Sequence, residues 1–295
     1  MRRQLFFYPT FFIVLFFVST GQALLIEDLK SNHDIPKNFR MFTHLKASGS
    51  AQFTGVGADY IKKKIPAGHS IIMVDLRKEP HGFLRNEPIS WYGRHNSVNA
   101  RLTPKQVEED QKKRLADLRS KKAAPVCILC KDTGIQKKQE NSACSCKNRS
   151  IQSVQAVKSE EQLVQDAGMR YKRFYVQEAH APNASQVDAF VHFVKNLPKN
   201  AWLHMHCRAG KGRTTTFLVM YDILRNCSKA SLDQIIQRQT RAGGTNLLSE
   251  DTSNSRWKVA PFAARTRFIK KFYAYCKEAL PSGITWSAYS TPKNS

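Results

Sequence analysis

Cys207 and Arg213 bracket a run that reads His206-Cys207-Arg208-Ala209-Gly210-Lys211-Gly212-Arg213-Thr214, an H-C-x5-R-T spacing able to close one loop around a phosphate. A thiolate stays nucleophilic beside negative charge when a cation and a helix N-terminus hold its pKa down. Cys207 is expected to have both, because Arg213 falls where a helix should begin. A planar guanidinium grips two phosphoryl oxygens at once. The amides of Arg208, Ala209, Gly210, Lys211 and Gly212 can serve the other oxygens, with Gly210 and Gly212 expected in dihedrals that other residues disfavour. Thr214 is spaced to donate its hydroxyl to the sulfur and help it leave. A buried, inert cysteine followed by a chance arginine is the plain alternative. His206, the two glycines, Thr214 and the flanking pattern argue against it.

Those flanks must position the loop. Ala201-Trp202-Leu203-His204-Met205 reads as a short buried strand and residues 215–224 as an apolar helix. A strand, a glycine-bearing loop and a helix start gather backbone N–H groups and add the helix dipole. Elsewhere, residues 70–76 read as a strand with Ile71, Ile72, Met73 and Val74 as a buried run. Thr103-Pro104-Lys105-Gln106 offers a cap, a first-turn proline and a capping-box glutamine, starting a charged, exposed helix to about Lys121. Residues 159–166 read as a short helix and 172–176 as a strand. Residues 185–196 form an amphipathic helix with Val187, Phe190, Val191 and Val194 on one face. A helix over 231–241 stops at Gly243-Gly244, and a last one runs from Phe262 to Leu280. Strands alternating with helices predict an α/β sheet.

The 295 residues carry 47 Lys and Arg against 23 Asp and Glu, a formal net charge of +24. Such an excess favours acidic partners and fast capture of polyanions. No nucleic-acid-binding fingerprint accompanies it, so nucleic acid is not an expected partner. Lys62-Lys63-Lys64 and Lys112-Lys113-Arg114 read as solvated surface. Residues 1–23 carry a secretory-signal pattern: Arg2 and Arg3, an apolar stretch from Leu5 to Val18, then Gly21-Gln22-Ala23. That stretch is shorter than the roughly 20 residues that cross a bilayer. The mature chain, 24–295, is therefore expected to be exported, periplasmic or secreted, with no membrane span; an uncleaved anchor is the alternative. Its length suits one domain, or one domain with an insert.

Of seven cysteines, Cys127, Cys130, Cys144 and Cys146 fall in a C-x2-C-x13-C-x-C pattern within a basic, loop-like insert at about 121–150. Two disulfides, a zinc site and free thiols all fit that spacing. Cys227 and Cys276 sit at helix positions and read as packing residues.

The 206–214 loop resembles that of the cysteine-dependent protein tyrosine phosphatases, and the wider chain is similar to their phytase-like branch, which strips phosphates from inositol polyphosphates. The stretches that carry this are Ile35-Pro36-Lys37-Asn38-Phe39-Arg40, Ala47-Ser48-Gly49-Ser50, Val74-Asp75-Leu76-Arg77-Lys78-Glu79-Pro80-His81-Gly82, Ser90-Trp91-Tyr92-Gly93, Ala167-Gly168-Met169-Arg170-Tyr171 and Leu197-Pro198-Lys199-Asn200. The resemblance runs from about Ile35 to Ser287. It implies an α/β cysteine-phosphatase fold: a central mixed sheet flanked by helices, with a small extra β-rich element. It implies no metal and no other cofactor. Cys207 becomes the nucleophile and Arg213 the phosphate clamp, while Arg40, Asp75, Lys258 and Arg265 fall where the family touches substrate phosphates or shapes the pocket. Gln239, by the same analogy, positions water; the plain reading is a solvent-facing glutamine.

Three places depart from the family pattern. Its acid loop has an aspartate followed by histidine and ends in Trp-Pro; here it reads Gln177-Glu178-Ala179-His180-Ala181-Pro182. Glu178 is the expected proton donor, from its alignment and the tunability of a carboxyl group, and His180 is the alternative; read alone, both belong to a polar turn before a helix. Phe262 stands where the family tends to have tyrosine, and residues 247–255 lack the expected basic residues. The implied function is hydrolysis of myo-inositol polyphosphates through a phosphocysteine, on a polyanionic small molecule. A protein tyrosine or dual-specificity phosphatase acting on a phosphoprotein is one alternative, and a non-catalytic phospholigand-binding module is another.

Overall fold

The structure, a computed structural model, describes residues 23–28, 34–129, 146–152, 154, 156–249 and 256–291. The secretory-signal pattern, Cys130 and Cys144 therefore lie outside the described residues, Ala23 excepted. In chain order the elements are β1 (Leu24–Glu27), β2 (Arg40–Phe42), β3 (Ala47–Ser50), α1 (Gly55–Lys64), β4 (Ser70–Arg77), β5 (His81–Leu84), β6 (Glu87–Tyr92), α2 (Pro104–Arg119), β7 (Ala123–Leu129) and β8 (Cys146–Gln152). There follow β9 (Val157–Lys158), α3 (Glu160–Asp166), β10 (Arg170–Val176), α4 (Ala184–Lys195), β11 (Ala201–His206), α5 (Gly212–Asn226), α6 (Leu232–Arg241), α7 (Arg256–Glu278) and α8 (Trp286–Ser290).

The fold is mixed α/β. β10, β4, β11 and β3 run parallel in that order, and β2 closes the edge antiparallel. Residue alternation decides what each face of this sheet carries. Ile72, Val74 and Leu76 of β4, with Leu203 and Met205 of β11, pack against Phe190 of α4, Phe217 of α5 and Phe272 of α7. On the other face, Met73 and Trp202 pack with Ile61 of α1 and Val164 of α3. That face also carries Asp75, Arg77, His204 and His206, all buried. The apolar run expected over 71–74 is thus a run with two faces, and Ile71 is only partly buried.

The extra β-rich element is larger than expected. It is a six-stranded sheet in the order β8-β7-β1-β6-β5-β9, antiparallel except for β1 beside β7. Residues 121–150 supply only β7 and part of β8; the rest comes from distant segments. α2 covers it through Leu115 and Leu118, starting from the Thr103–Gln106 capping box. Cys127 on β7 is disulfide-bonded, whereas Cys207, Cys227 and Cys276 are free. α7 begins six residues earlier than Phe262 and contains Pro261, which puts Lys258 and Arg265 on one helix.

Candidate active site

β11 ends at His206 and α5 begins at Gly212, so residues 207–211 form the loop between them. α1, α2, α4 and α6 have side-chain N-caps at Thr54, Thr103, Asn183 and Ser231. α5 has none, because Lys211 makes no side-chain cap bond. Its first-turn N–H groups are left for an anion, where the helix dipole adds partial positive charge. Gly210 sits at φ 68°, and a Cβ there would lie 2.3 Å from Ala51 N, so only glycine lets the loop turn over the end of β3. Gly212 corrects the expectation of unusual dihedrals: its φ is not in the left-handed region. Its missing Cβ instead clears Arg265, whose Nη1 would be 2.6 Å away.

Cys207 is 3% exposed. The Thr214 hydroxyl donates to Cys207 Sγ over 3.2 Å. Arg213 Nη1 donates to Glu79 Oε2 at 2.6 Å and to Val176 O at 3.0 Å, and Nη2 donates to Glu79 Oε1 at 2.9 Å. Burial alone would lower the Arg213 pKa; Glu79 and Cys207 outweigh it and hold the guanidinium above its ordinary value. Arg213 is therefore a permanent cation on a fixed anchor.

A cavity of about 350 Å³ opens above the sulfur. Ala209, Lys211, Gly212 and Arg213 form its floor with Cys207, and Glu178 and Ala179 enter from the segment after β10. Thr245 comes from the turn after α6, and Lys258, Phe262 and Arg265 come from one face of α7, the i, i+4, i+7 spacing that a helix aligns. The Arg265 guanidinium stacks 4.2 Å from the Phe262 ring centre. Lys258 lies beside Trp257, and Trp257 stacks on His95 at 4.3 Å.

Several expected residues lie elsewhere. His180 is turned back: its Nδ1 donates to the Glu178 carbonyl at 2.7 Å, and its side chain is absent from the cavity wall. Glu178 instead lines the cavity, its Oε2 accepting from Asn96 Nδ2 at 2.5 Å and from Arg213 Nη2 at 3.4 Å. The Arg208 side chain points away to Asp28, 2.8 Å from Nε, and over the Tyr92 ring. Arg40 is buried under the loop, donating to Gly210 O at 2.9 Å and Thr215 Oγ1 at 3.1 Å; burial pushes its pKa down to about 10. Arg40 thus shapes the loop from below. Gly210 shapes it too, its carbonyl held by Arg40.

Asp75 does not reach the cavity. It is fully buried, accepting from Tyr171 Oη at 2.8 Å, paired with Arg173 Nε at 3.1 Å and 3.2 Å from His81 Nε2. His81 Nε2 also lies 3.4 Å from Glu160, and Glu160 lies 2.6 Å from His206 Nε2. Ligand atoms of Asp75, Glu160 and His206 fall within 4.8 Å of one another, a spacing that could hold a metal ion. Their surroundings do not suit one. Tyr171 already donates to Asp75 and Arg173 pairs with it, Gln52 donates to Glu160 at 2.8 Å, and the neighbouring arginines oppose a further cation.

Sequence reasoning gave no role to Glu79, Asn96 or Thr245. Glu79 lies two residues past β4, and nothing in its spacing names Arg213 as its partner; only the fold joins residues 79 and 213. Gln239 is fully buried, and neither of its amide atoms has a hydrogen-bond partner among the described residues, which overturns the solvent-facing alternative.

The family model PTPlike_phytase, described by the words inositol hexakisphosphate, matches residues 74–225, just over half of the chain. The chain belongs to the PTP-like phytase family. Among solved structures, the PTP-like myo-inositol phosphatase from Mitsuokella multacida, in complex with myo-inositol-(1,3,4,5)-tetrakisphosphate, matches with a TM-score of 0.82 and 29% identity over 91% of this chain and 47% of its own. A PTP-like phytase from Bdellovibrio bacteriovorus matches with a TM-score of 0.73 and 30% identity, covering 90% of this chain and 93% of that one. Effector protein hopD2 of Pseudomonas syringae pv. tomato is 25% identical over 242 residues, 82% of this chain and 50% of that protein. The chain therefore spans about half the length of hopD2 and of the Mitsuokella phosphatase. The matched segment, 74–225, contains Glu79, Asn96, Glu178, Cys207 and Arg213, while the cations of α7 lie beyond it.

Proposed function

We propose that this chain is a phosphatase that hydrolyses myo-inositol polyphosphates through a phosphocysteine. The observation that carries the reading is the free thiol of Cys207 at the floor of a cation-lined cavity, with the Thr214 hydroxyl 3.2 Å from its sulfur. The Cys207 thiolate attacks phosphorus in line; the S–P bond forms as the ester P–O bond breaks, and its electron pair leaves on the alcohol oxygen. Glu178 gives that oxygen a proton. Glu79 occupies one edge of the Arg213 guanidinium, which leaves Nε for one phosphoryl oxygen, while the second Nη2 hydrogen keeps its 3.4 Å contact with Glu178. Amides of residues 208–213 serve the rest of the three equatorial oxygens, strongest where charge develops. Water then attacks phosphorus, its proton passes to the Glu178 carboxylate, and inorganic phosphate departs while Thr214 donates to the leaving sulfur.

Lys211, Lys258 and Arg265 surround the single phosphate position with three further cations, which suits a ligand bearing several phosphates. The tetrakisphosphate in the Mitsuokella relative supports the same class. Export rests on the pattern in residues 1–23 and on the likeness to an effector protein; no described helix is long and apolar enough to cross a membrane. The test is phosphate release from inositol hexakisphosphate and from a phosphotyrosine peptide, side by side under reducing conditions. Faster turnover of the inositol phosphate is expected. A preference for the peptide would make the chain a protein phosphatase, and binding without release from either would make it a phospholigand module.

A further inference from the structure

We infer that Asn96 is the positioning residue that makes the unusual glutamate at 178 work as a proton donor; this rests on Glu178 being the acid in the reaction above. Glutamate carries one more rotatable bond than aspartate, and each such freedom scatters the carboxyl over positions that do not reach the leaving oxygen. Something must fix it. Glu178 Oε2 accepts from Asn96 Nδ2 at 2.5 Å, the shortest hydrogen bond its carboxylate makes among the described residues; Arg213 Nη2 follows at 3.4 Å. Both donors meet the same oxygen. An oxygen that accepts from two donors is the poorer place for a proton, so the acid proton sits on Oε1.

Asn96 is built for this task. It is 2% exposed and stands at φ 54°, a left-handed conformation that asparagine tolerates better than most residues. Its N–H donates to Gly93 O at 2.9 Å. A Cβ at Gly93 would meet the Val98 side-chain methyl at 2.8 Å, so the two pack closely in this turn. The turn is tied down on both sides. His95 stacks on Trp257 of α7, and Lys78 donates to Ala100 O at 2.8 Å. Asn96 Oδ1 has no hydrogen-bond partner among the described residues, so the Glu178 contact is what its amide group makes. The six-stranded sheet, through the turn after β6, thereby holds the acid over a nucleophile that belongs to the other sheet.

The experiment uses Asn96→Gly, which keeps the left-handed backbone and removes the amide, with Asn96→Asp as a second variant of the same size that loses the donor. Turnover is compared on inositol hexakisphosphate, whose alkoxide leaving group needs a proton, and on p-nitrophenyl phosphate, whose leaving group departs as an anion. Both variants are expected to lose kcat on the inositol phosphate about 10- to 100-fold more than on p-nitrophenyl phosphate, with KM changed less than kcat. In a Glu178→Gln background the same substitutions should add little. Equal losses on both substrates would overturn the proposal, because a merely structural residue harms the loop for every substrate. So would an undiminished effect in the Glu178→Gln background. If Glu178→Gln alone costs nothing on the inositol phosphate, Glu178 is not the acid and both readings fall. If Glu178→Gln is slow while Asn96→Gly is not, only the role of Asn96 falls.

Discussion

Arg213 carries two tasks on one guanidinium. Its fork is held by Glu79, so the charge that meets the phosphate is fixed before substrate arrives. Lysine cannot divide itself this way. Arg213→Lys should lower kcat/KM by about 10²–10³-fold, the scale of one lost preorganised donor; steady-state kinetics with an unchanged circular dichroism spectrum would show it, and a loss under about fivefold would contradict it. Glu178→Gln should cost about 10²–10⁴-fold on inositol hexakisphosphate. His180→Ala should cost less, because the His180 ring is bonded to its own loop rather than aimed at the cavity. A larger loss for His180→Ala would reverse the two roles.

At the level of elements, the end of β11 and the start of α5 are held from beneath by an ion-pair network in which only Arg213 faces the cavity. Glu79, between β4 and β5, joins Arg77 and Arg213, all with side chains no more than 3% exposed. Removing one partner of a buried pair leaves the other charge uncompensated. Glu79→Gln should therefore destabilise the fold by about 3–5 kcal/mol in urea unfolding, and a change under about 1 kcal/mol would argue that solvent reaches the pair. His81 on β5 sets a pH dependence. Its Nδ1 faces the Glu79 carbonyl at 2.8 Å, and its Nε2 faces the carboxylates of Asp75 and Glu160. Burial lowers its pKa, but Asp75 more than offsets this and leaves it above the ordinary 6.5. A raised folded pKa stabilises fully below the unfolded value and is lost as pH rises through the folded one. Glu160 has the opposite sign: against burial, His206 holds it down at about 2, so its contribution is lost as pH falls below about 4.5 toward 2. Thermal melts of the wild type should show stability falling above about pH 6.5, with a flatter alkaline slope in His81→Gln; equal slopes would remove His81 from the account.

Across the whole molecule, the +24 charge and the three cations around the cavity predict electrostatic capture of a polyanion. KM for inositol hexakisphosphate should rise by about tenfold between low salt and about 0.5 M salt, as screening shortens the reach of those charges; a KM indifferent to salt would place recognition elsewhere. Local pattern made the strand–loop–helix around Cys207 legible, because an apolar strand, a phosphate-sized spacing and a helix start are adjacent in the chain. The same holds for the helix cap at Thr103. The six-stranded sheet was not legible as one unit, since its strands come from residues 24–27, 81–92, 123–129, 146–152 and 157–158 and meet only in space. The resemblance placed Asp75 and Arg40 where substrate phosphates are touched or the pocket is shaped; strand alternation turns Asp75 into a buried network, and Arg40 lies under the loop that it shapes. The partners of the site, Glu79 on Arg213 and Asn96 on Glu178, depend on contacts across 134 and 82 residues. No local spacing encodes such pairings.

The central claim is that phosphate passes through the Cys207 sulfur. The direct measurement is to mix the reduced protein with inositol hexakisphosphate, quench in acid within the first turnovers and map phosphate by peptide mass spectrometry. The account predicts a phosphorylated peptide containing Cys207, absent from Cys207→Ser, which should also lose turnover by more than about 10³-fold. Undiminished phosphate release from Cys207→Ser, or phosphate trapped on another residue, would contradict it.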